Sequence, residues 1–583
     1  MKLFHRSSFV SLGMLAAAAA LGANATARPI EANGTIVASA ADLRGARDLG
    51  HAPATTPVHL AISLRLRDER SLDALITSQS NPRSPFYHHY LKAAQLRDAF
   101  GASAADYARA VAELQRSGFA VERVDPLRTL VNVTAPAATV ERYFSTSLHA
   151  VTYDGRHTAY ANVTPARLPA TLVPLVSGIA GLKSSSAYKT SYEAAREARS
   201  TNPGGGPAHV QAQATTAPTP VPTPTGATPV NGPDGGYGPQ LVTAAFDHPI
   251  RHGYFGNGVA VADLIDGFFD DRADIAPYLA EFRVKRTGPA TTTIPIDGGC
   301  GSSLFGCFDS VSAAIDAEQI LGVAPGVAYY VYELPSFSNL GVIDGLRAVV
   351  SDNRVDVVNI AFGGCETRLG EAALLEDEYF KLGAAEGMTF AAVSFGGSNP
   401  CFTNQPSVQA PADSPNVLAI GGADTFVDQF KGLLSPPIAN NGSGGGVSRL
   451  FNRPSYQAGI KGTVASGRNV PDLAGPAAVN AKGASEYYSG FGGWIGGSFA
   501  FVNSAPLTGG IAEIAQISGS RLGIVNDKLY PLFAANGYTA NVFRDVTLGC
   551  NGTGGGGPYC AAPGFDLVTG IGVPDAYKIA KKL

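Results

Sequence analysis

The sequence predicts an α/β fold, a parallel sheet flanked by helices, preceded by a smaller α+β domain. Three observations carry this. Short apolar runs alternate with helical periodicity from about residue 258 to 394, which is the signature of βαβ units and a buried parallel sheet. A separate stretch from Pro53 to Leu182 mixes strand-like alternation with amphipathic helices. Between them, Ala198 to Gly236 is dominated by Pro, Gly, Thr and Ala and lacks the apolar content to order itself, so it reads as an extended linker. At 583 residues the chain exceeds one ordinary domain.

In the N-terminal part, His59 to Leu66 alternates as a strand does, with further strands expected in Val121–Thr134 and His149–Tyr153. Ser103 to Ser117 has helical spacing, with Ser103 at the N-cap and Asp106 three residues on. In the larger part, strands are expected at Gly258–Ile265, Val327–Tyr332, Val355–Phe362 and Met388–Ser394. Helices fall at Ser312–Leu321, Leu340–Ser351 and Gly370–Glu386. Ligand sites on such sheets lie at the carboxyl ends of the strands, where Gly363-Gly364-Cys365 and Gly396-Gly397-Ser398 are expected as loops.

Composition narrows the partners. Charged residues make up 15% of the chain and the formal net charge is −4, which predicts no nucleic-acid partner. Met1-Lys2 with Arg6, then an apolar run from Phe9 to Leu21, reads as a secretory signal over residues 1–27, with small residues at Ala23, Ala25 and Ala27. No later stretch reaches the ~20 apolar residues of a membrane span. Secretion, to the periplasm or the medium, is expected, and the protein is expected to be a monomer. Six cysteines in an exported chain favour disulfides over metal thiolates. Proximity pairs Cys300 with Cys307 and Cys550 with Cys560, leaving Cys365 with Cys401. A folded unit behind a signal segment, tethered to a larger domain, suggests a propeptide, though two permanent domains on a hinge have the same composition.

The stretch Gly492 to Pro506, running into an apolar segment through Ile517, is the natural place for a nucleophile. Paired glycines followed by a hydroxyl residue let backbone approach a ligand and aim N–H groups at it. Ser498 is the candidate; Ser504 reads as a helix-start cap.

Taken in order, several motifs resemble the sedolisin (serine-carboxyl peptidase) family. The N-terminal part resembles its activation propeptide in Ser80-Asn81-Pro82-Arg83-Ser84-Pro85-Phe86-Tyr87-His88-His89-Tyr90-Leu91 and in Val140 to His149. The larger part resembles its peptidase domain in Leu321-Gly322-Val323-Ala324-Pro325-Gly326, Asn359 to Gly364, Gly444 to Ser448, Arg453 to Gln457 and Val470 to Leu473. The resemblance implies a subtilisin-like α/β fold, secretion as a zymogen, hydrolysis of peptide bonds at acid pH and one calcium ion. In acid a histidine base is protonated, so such a site needs a carboxylate base, a second carboxylate to orient it and a third, protonated, to donate to the oxyanion.

Position by position, this chain departs from that pattern. The family's Glu-x-x-x-Asp pair, which puts both carboxylates on one helix face, reads Ser312-Ala313-Ala314-Ile315-Asp316. Asp316 matches the orienting aspartate, whereas Ser312 stands at the base and cannot shuttle a proton. Asp309 is a possible substitute two turns away, roughly 10 Å along the axis. Glu318 points to another face. The oxyanion aspartate falls on Gly396, a loss that costs about 10²–10³ in rate. The nucleophile pattern Gly-Gly-Thr-Ser admits three registers, on Ser498, Phe499 or Val502, of which Ser498 alone offers a hydroxyl.

Asp545-Val546-Thr547 with Ala562 to Gly572 resembles the family's calcium loop, implying Asp545 and Asp566 side chains with Val546, Ala562 and Gly564 carbonyls as hard oxygen donors. The expectation is a pseudo-peptidase that binds a peptide or unfolded protein segment and its own propeptide, with Trp494 and the glycine-rich edges available to hold an extended strand. The alternatives are an acid endopeptidase working through Ser498 and Asp316, or a calcium-stabilised structural or surface protein.

Overall fold

The computed structural model describes residues 36–41, 43–153, 155–185, 188–201, 229–302, 310–397, 401, 406–496, 500–552 and 558–583. The expected signal segment, Cys307, Asp309, Ser498, Phe499 and residues 202–228 of the expected linker lie outside them.

The N-terminal part is built on four antiparallel strands: β1 (Pro57–Leu64), β2 (Ala120–Val124), β3 (Leu130–Pro136) and β4 (Val176–Ala180), in the order β2-β3-β1-β4. Alternation in β1 and β3 puts Val58, Leu60, Ile62, Val131 and Val133 into a core completed by Leu114 and Phe144. Leu114 comes from helix α1 (Ala104–Arg116), which starts as expected: the Asp106 N–H donates to Ser103 Oγ at 3.0 Å.

This part is followed by a two-residue strand, β5 (Lys189–Thr190), and a helix, α2 (Ser191–Thr201). The helix runs into the start of the expected linker, because Thr190 and Glu193 form a reciprocal cap that holds its first turn. The far end of that linker is also ordered. Asp234 accepts from Ser485 Oγ, and Gly236 lies so close to the Ser485 backbone that a Cβ there would meet it at 2.6 Å. Composition expected a free tether over 198–236; local capping and glycine-enabled close packing fix both of its ends.

The larger part holds the expected parallel sheet. Its strands are β6 (Ala260–Ile265), β7 (Thr292–Pro295), β8 (Ala328–Glu333), β9 (Val357–Ile360), β11 (Thr389–Val393), β13 (Val417–Thr425), β14 (Ile438–Ala439) and β15 (Leu473–Val479), while β10 (Phe362–Cys365) and β12 (Gln409–Ala410) lie outside it. The order is β7-β8-β6-β9-β11-β13-β14, with β15 also paired to β13. All pairs are parallel except β13 with β14. The sheet carries helices α3 (Ser310–Val323), α4 (Asn339–Asp352), α5 (Glu371–Ala385) and α6 (Ala505–Ser518). Apolar strands such as Val357–Ile360 and Thr389–Val393 are buried throughout, as a sheet covered on both faces requires.

One expected loop is a strand. Gly363-Gly364-Cys365 belongs to β10, the middle strand of a three-stranded antiparallel sheet with β5 on one side and β12 on the other. Gly363 permits this closeness, since a Cβ there would meet the Gln409 side chain at 2.9 Å. Cys365 and Cys401 are joined, as are Cys550 and Cys560. Among the described residues no helix is long and apolar enough to cross a membrane.

Candidate active site

Of the expected catalytic positions, Ser312, Asp316 and Gly396 are described, whereas Ser498 and Asp309 lie outside the described residues. Ser312 and Asp316 lie on α3, four residues apart, and both are buried, at 2% and 3% exposure. From Ser312 to Val323 α3 is buried, with Asp316, Glu318 and Gln319 enclosed among its apolar residues. Beneath Asp316, the Tyr329 phenol is held well above its ordinary range by burial, with the charges of Asp263 and Asp316 adding to the effect. The Tyr329 hydroxyl donates to Asp263 at 3.2 Å and Asn359 Nδ2 donates to the same carboxylate at 3.0 Å. Burial raises Asp263 to about 7 despite these donors. Ser504 Oγ and Thr508 Oγ1 each donate to Asn359 Oδ1 at 3.0 Å. Ser504 stands at the N-cap position of α6 as expected, but its hydroxyl turns to Asn359 and makes no cap bond.

No carboxylate stands at Ser312. Its hydroxyl meets the Thr190 hydroxyl at 3.0 Å. Thr190 arrives because β5 adds to the edge of β10, with Lys189 opposite Gly363 and Thr190 opposite Phe362, and the Ser191 N–H then donates to the Ala361 carbonyl. The first turn of α2 covers the site. Tyr192 stacks edge-on against Phe501 at 5.7 Å, and Ala194 packs on Val393, Phe395, Ala477 and Val502. This chain's own segment therefore lies across the region between the end of β11 and the start of α6. Val502, one of the three nucleophile registers, is a core residue there.

Gly396 sits at φ +82°, a conformation L side chains rarely adopt. An aspartate at this position would carry backbone strain. Glu318, as expected, faces away from Asp316: its carboxylate accepts from the Tyr487 N–H at 3.1 Å, in a buried group with Glu486, Asp274 and Asp234. Trp494 is half-buried. It sits on a strand, Gly493–Gly496, paired antiparallel with Ser485–Tyr488, with its ring against Tyr278, Phe282 and Tyr487.

Two carboxyl groups were missed by reading the sequence. Asp266 directly follows β6, at the carboxyl end of a strand, which is the signal that could have found it. Burial raises it to about 7, opposed by the Phe337 N–H and reinforced by Glu193 and Glu333. Glu193 comes from α2 and is raised by burial, against the Thr190 N–H that donates to it. Its contribution depends on long-range docking of α2, which no local pattern encodes.

The calcium candidates also converge. Asp545 accepts from the Gly564 N–H at 3.1 Å, while Asp566 accepts from Ala562, Val568 and Thr569 N–H groups. The Tyr538 hydroxyl donates to the Gly564 carbonyl at 3.1 Å and feels both carboxylates. Burial raises both aspartates, and neither forms an ion pair with a basic side chain among the described residues. Gly564, at φ +96°, turns the loop. The donor set, two uncompensated carboxylates with carbonyls on one loop, fits a hard divalent cation.

Residues 44–185 match the family described as "Pro-kumamolisin, activation domain", and residues 308–541 match the "Subtilase family". Sedolisin of Pseudomonas sp. (strain 101) is 27% identical over 605 aligned positions, covering 99% of this chain and 96% of that protein. Kumamolisin of Bacillus sp. (strain MN-32) is 27% identical over 556, covering 91% and 93%. The solved structure of Pseudomonas sedolisin, a serine-carboxyl proteinase complexed with two molecules of pseudo-iodotyrostatin, is 27% identical with a TM-score of 0.51, covering 60% of this chain and 98% of that one. An activation domain, a subtilisin-like α/β domain and near full-length similarity go together: the chain belongs to the sedolisin family.

Proposed function

We propose that this protein is a secreted pseudo-peptidase of the sedolisin family, one that keeps a peptide-binding cleft and a calcium loop but does not cut peptide bonds. The observation that carries the reading is the Ser312–Thr190 contact. Where the family's resemblance calls for a carboxylate base, a buried hydroxyl meets another hydroxyl, and neither can accept and return a proton at acid pH. The glycine backbone at position 396 supports the same conclusion for the oxyanion carboxyl. Losses within one catalytic unit are not additive, and losing the base alone removes most nucleophile activation.

Binding draws on the edge of β10, which accepts β5 as an added strand; main-chain hydrogen bonds of this kind take an extended peptide largely regardless of its sequence. Calcium would be held by Asp545 and Asp566 with the carbonyls of Val546, Ala562 and Gly564. Export draws on residues 1–27. The chain then divides into the signal segment, an activation part ending with α2, a tether, and a peptidase-like part.

A second reading, an acid endopeptidase using Ser498 and Asp316, draws on Asp266, a carboxyl group that stays partly protonated near neutrality. Isothermal titration separates the two. The pseudo-peptidase binds an extended peptide saturably, with equal affinity in the wild type and in Ser498→Ala, and mass spectrometry recovers the peptide uncut. Cleavage by the wild type that Ser498→Ala abolishes would establish the second reading.

A further inference from the structure

The segment that lies across the cleft inserts one side chain deeply. Tyr188, immediately before β5, is 2% exposed, and its ring meets Phe362 edge-on at 5.5 Å, with Phe337 packed behind at 4.7 Å from Phe362. Its hydroxyl donates to Glu376 Oε1 on α5. A second carboxyl group, Asp413, is close enough for its charge to act on the phenol. Glu376 and Asp413 are 0% and 1% exposed. Glu376 Oε2 and both Asp413 oxygens have no hydrogen-bond partner among the described residues. Buried carboxyl groups are normally satisfied by hydrogen bonds or paired with a charge. Here they lie with Phe362 around the Tyr188 side chain, in a buried site beside β10.

We propose that this site is a recognition subsite for a tyrosine side chain, two residues before the residue seated at Ser312, in an extended peptide paired with β10. The inference rests on the peptide-binding reading of the cleft and names the side chain that the cleft selects. Tyr188 is the occupant in this chain, and it shows the fit: a ring edge-on against Phe362 and a hydroxyl reaching a carboxyl group that the strand's backbone alone would leave bare. Burial raises Glu376 to about 8 and Asp413 well above its ordinary value. Below neutrality these carboxyl groups are therefore uncharged, which favours a neutral donor and acceptor such as a phenol over a lysine ammonium. A phenylalanine would meet Phe362 but leave Glu376 without the hydroxyl. Sites built to bond a hydroxyl discriminate strongly against the analogue that lacks it.

The test uses the full chain carrying Tyr188→Ala with Lys189→Pro and Thr190→Pro, which removes the ring and frees the side of β10 that β5 occupies, and a fluorescent synthetic peptide with the sequence of residues 186–194. Counterparts of the peptide carry Phe or Ala at the tyrosine position. The tyrosine peptide is expected to bind at least about tenfold more tightly than either counterpart, and a Glu376→Leu change in the same host is expected to erase that preference. Thermal melting confirms that each host is folded, and Tyr188→Ser replaces Tyr188→Ala if the latter does not fold. Equal binding of all three peptides overturns the subsite while leaving the cleft intact. Failure of every peptide to bind overturns the cleft reading and the subsite with it.

Discussion

Ser312 and Arg468 show how differently two buried polar residues are used. Ser312 meets the Thr190 hydroxyl, and its burial costs little because a hydroxyl is readily satisfied. Arg468 is fully buried and charged, so it needs full compensation. Asp472 supplies it through two bonds, at 2.8 and 2.5 Å, and Asp472 itself accepts from the Tyr530 hydroxyl at 2.7 Å and the Ala419 N–H at 2.8 Å. Replacing one partner strands the other charge, which costs about 3–5 kcal/mol. Arg468→Met is therefore expected to lower the melting temperature by on the order of 10 °C, read by circular dichroism. A shift within the error of the measurement would mean that Asp472 finds other compensation. Beyond the motif Val470-Pro471-Asp472-Leu473 this pair was not legible in the sequence, because the value of a buried arginine depends on what surrounds it.

At the scale of elements, the central account is a set of docked edges. The activation part is held to the larger part by Arg123, whose guanidinium reaches Asp297 and Asp344, and by Asn132 Nδ2, which donates to both Asp344 oxygens. Lys381 and Asp73 add an ion pair at 3.4 Å. The proposed calcium loop is a second such element, its two aspartates lacking basic partners among the described residues. If it holds calcium, a chelator is expected to lower the melting temperature by several degrees. Asp545→Ala should melt at that lower temperature with or without calcium. Identical melting of the wild type with chelator and with added calcium would remove the metal from the account.

The helices and most strands of the parallel sheet were legible because their apolar runs and spacing are local. The conversion of Gly363-Gly364-Cys365 from an expected loop into the strand β10 was not. Its pairing partners, residues 189–190 and 409–410, are far away in sequence. The same distance hid Glu193 and Tyr188 from the reading of the site, whereas Asp316 and the two calcium aspartates stood in recognisable motifs.

For the whole molecule, the distribution of buried carboxyl groups sets the response to pH. Burial raises Glu376 and Glu386 to about 8, Asp263 and Asp266 to about 7, and Asp424 to about 6. In the unfolded chain these groups lose their protons near pH ~4. Between those values the native state holds more protons than the unfolded state, so raising the pH favours unfolding. Stability is expected to be full at and below about pH 4 and to fall progressively as the pH rises through the folded-state values toward 8. Melting curves across that range check it; a melting temperature that rises with pH would show that the carboxyl groups are compensated when ionised.

The claim on which the function depends is that the Ser312 position leaves Ser498 without a base. Incubating the purified full-length protein at acid pH, beside Ser498→Ala, and following both by mass spectrometry addresses it directly. The account predicts that both chains stay intact and indistinguishable. Release of a fragment cut near residues 202–228 by the wild type, and not by Ser498→Ala, would contradict it.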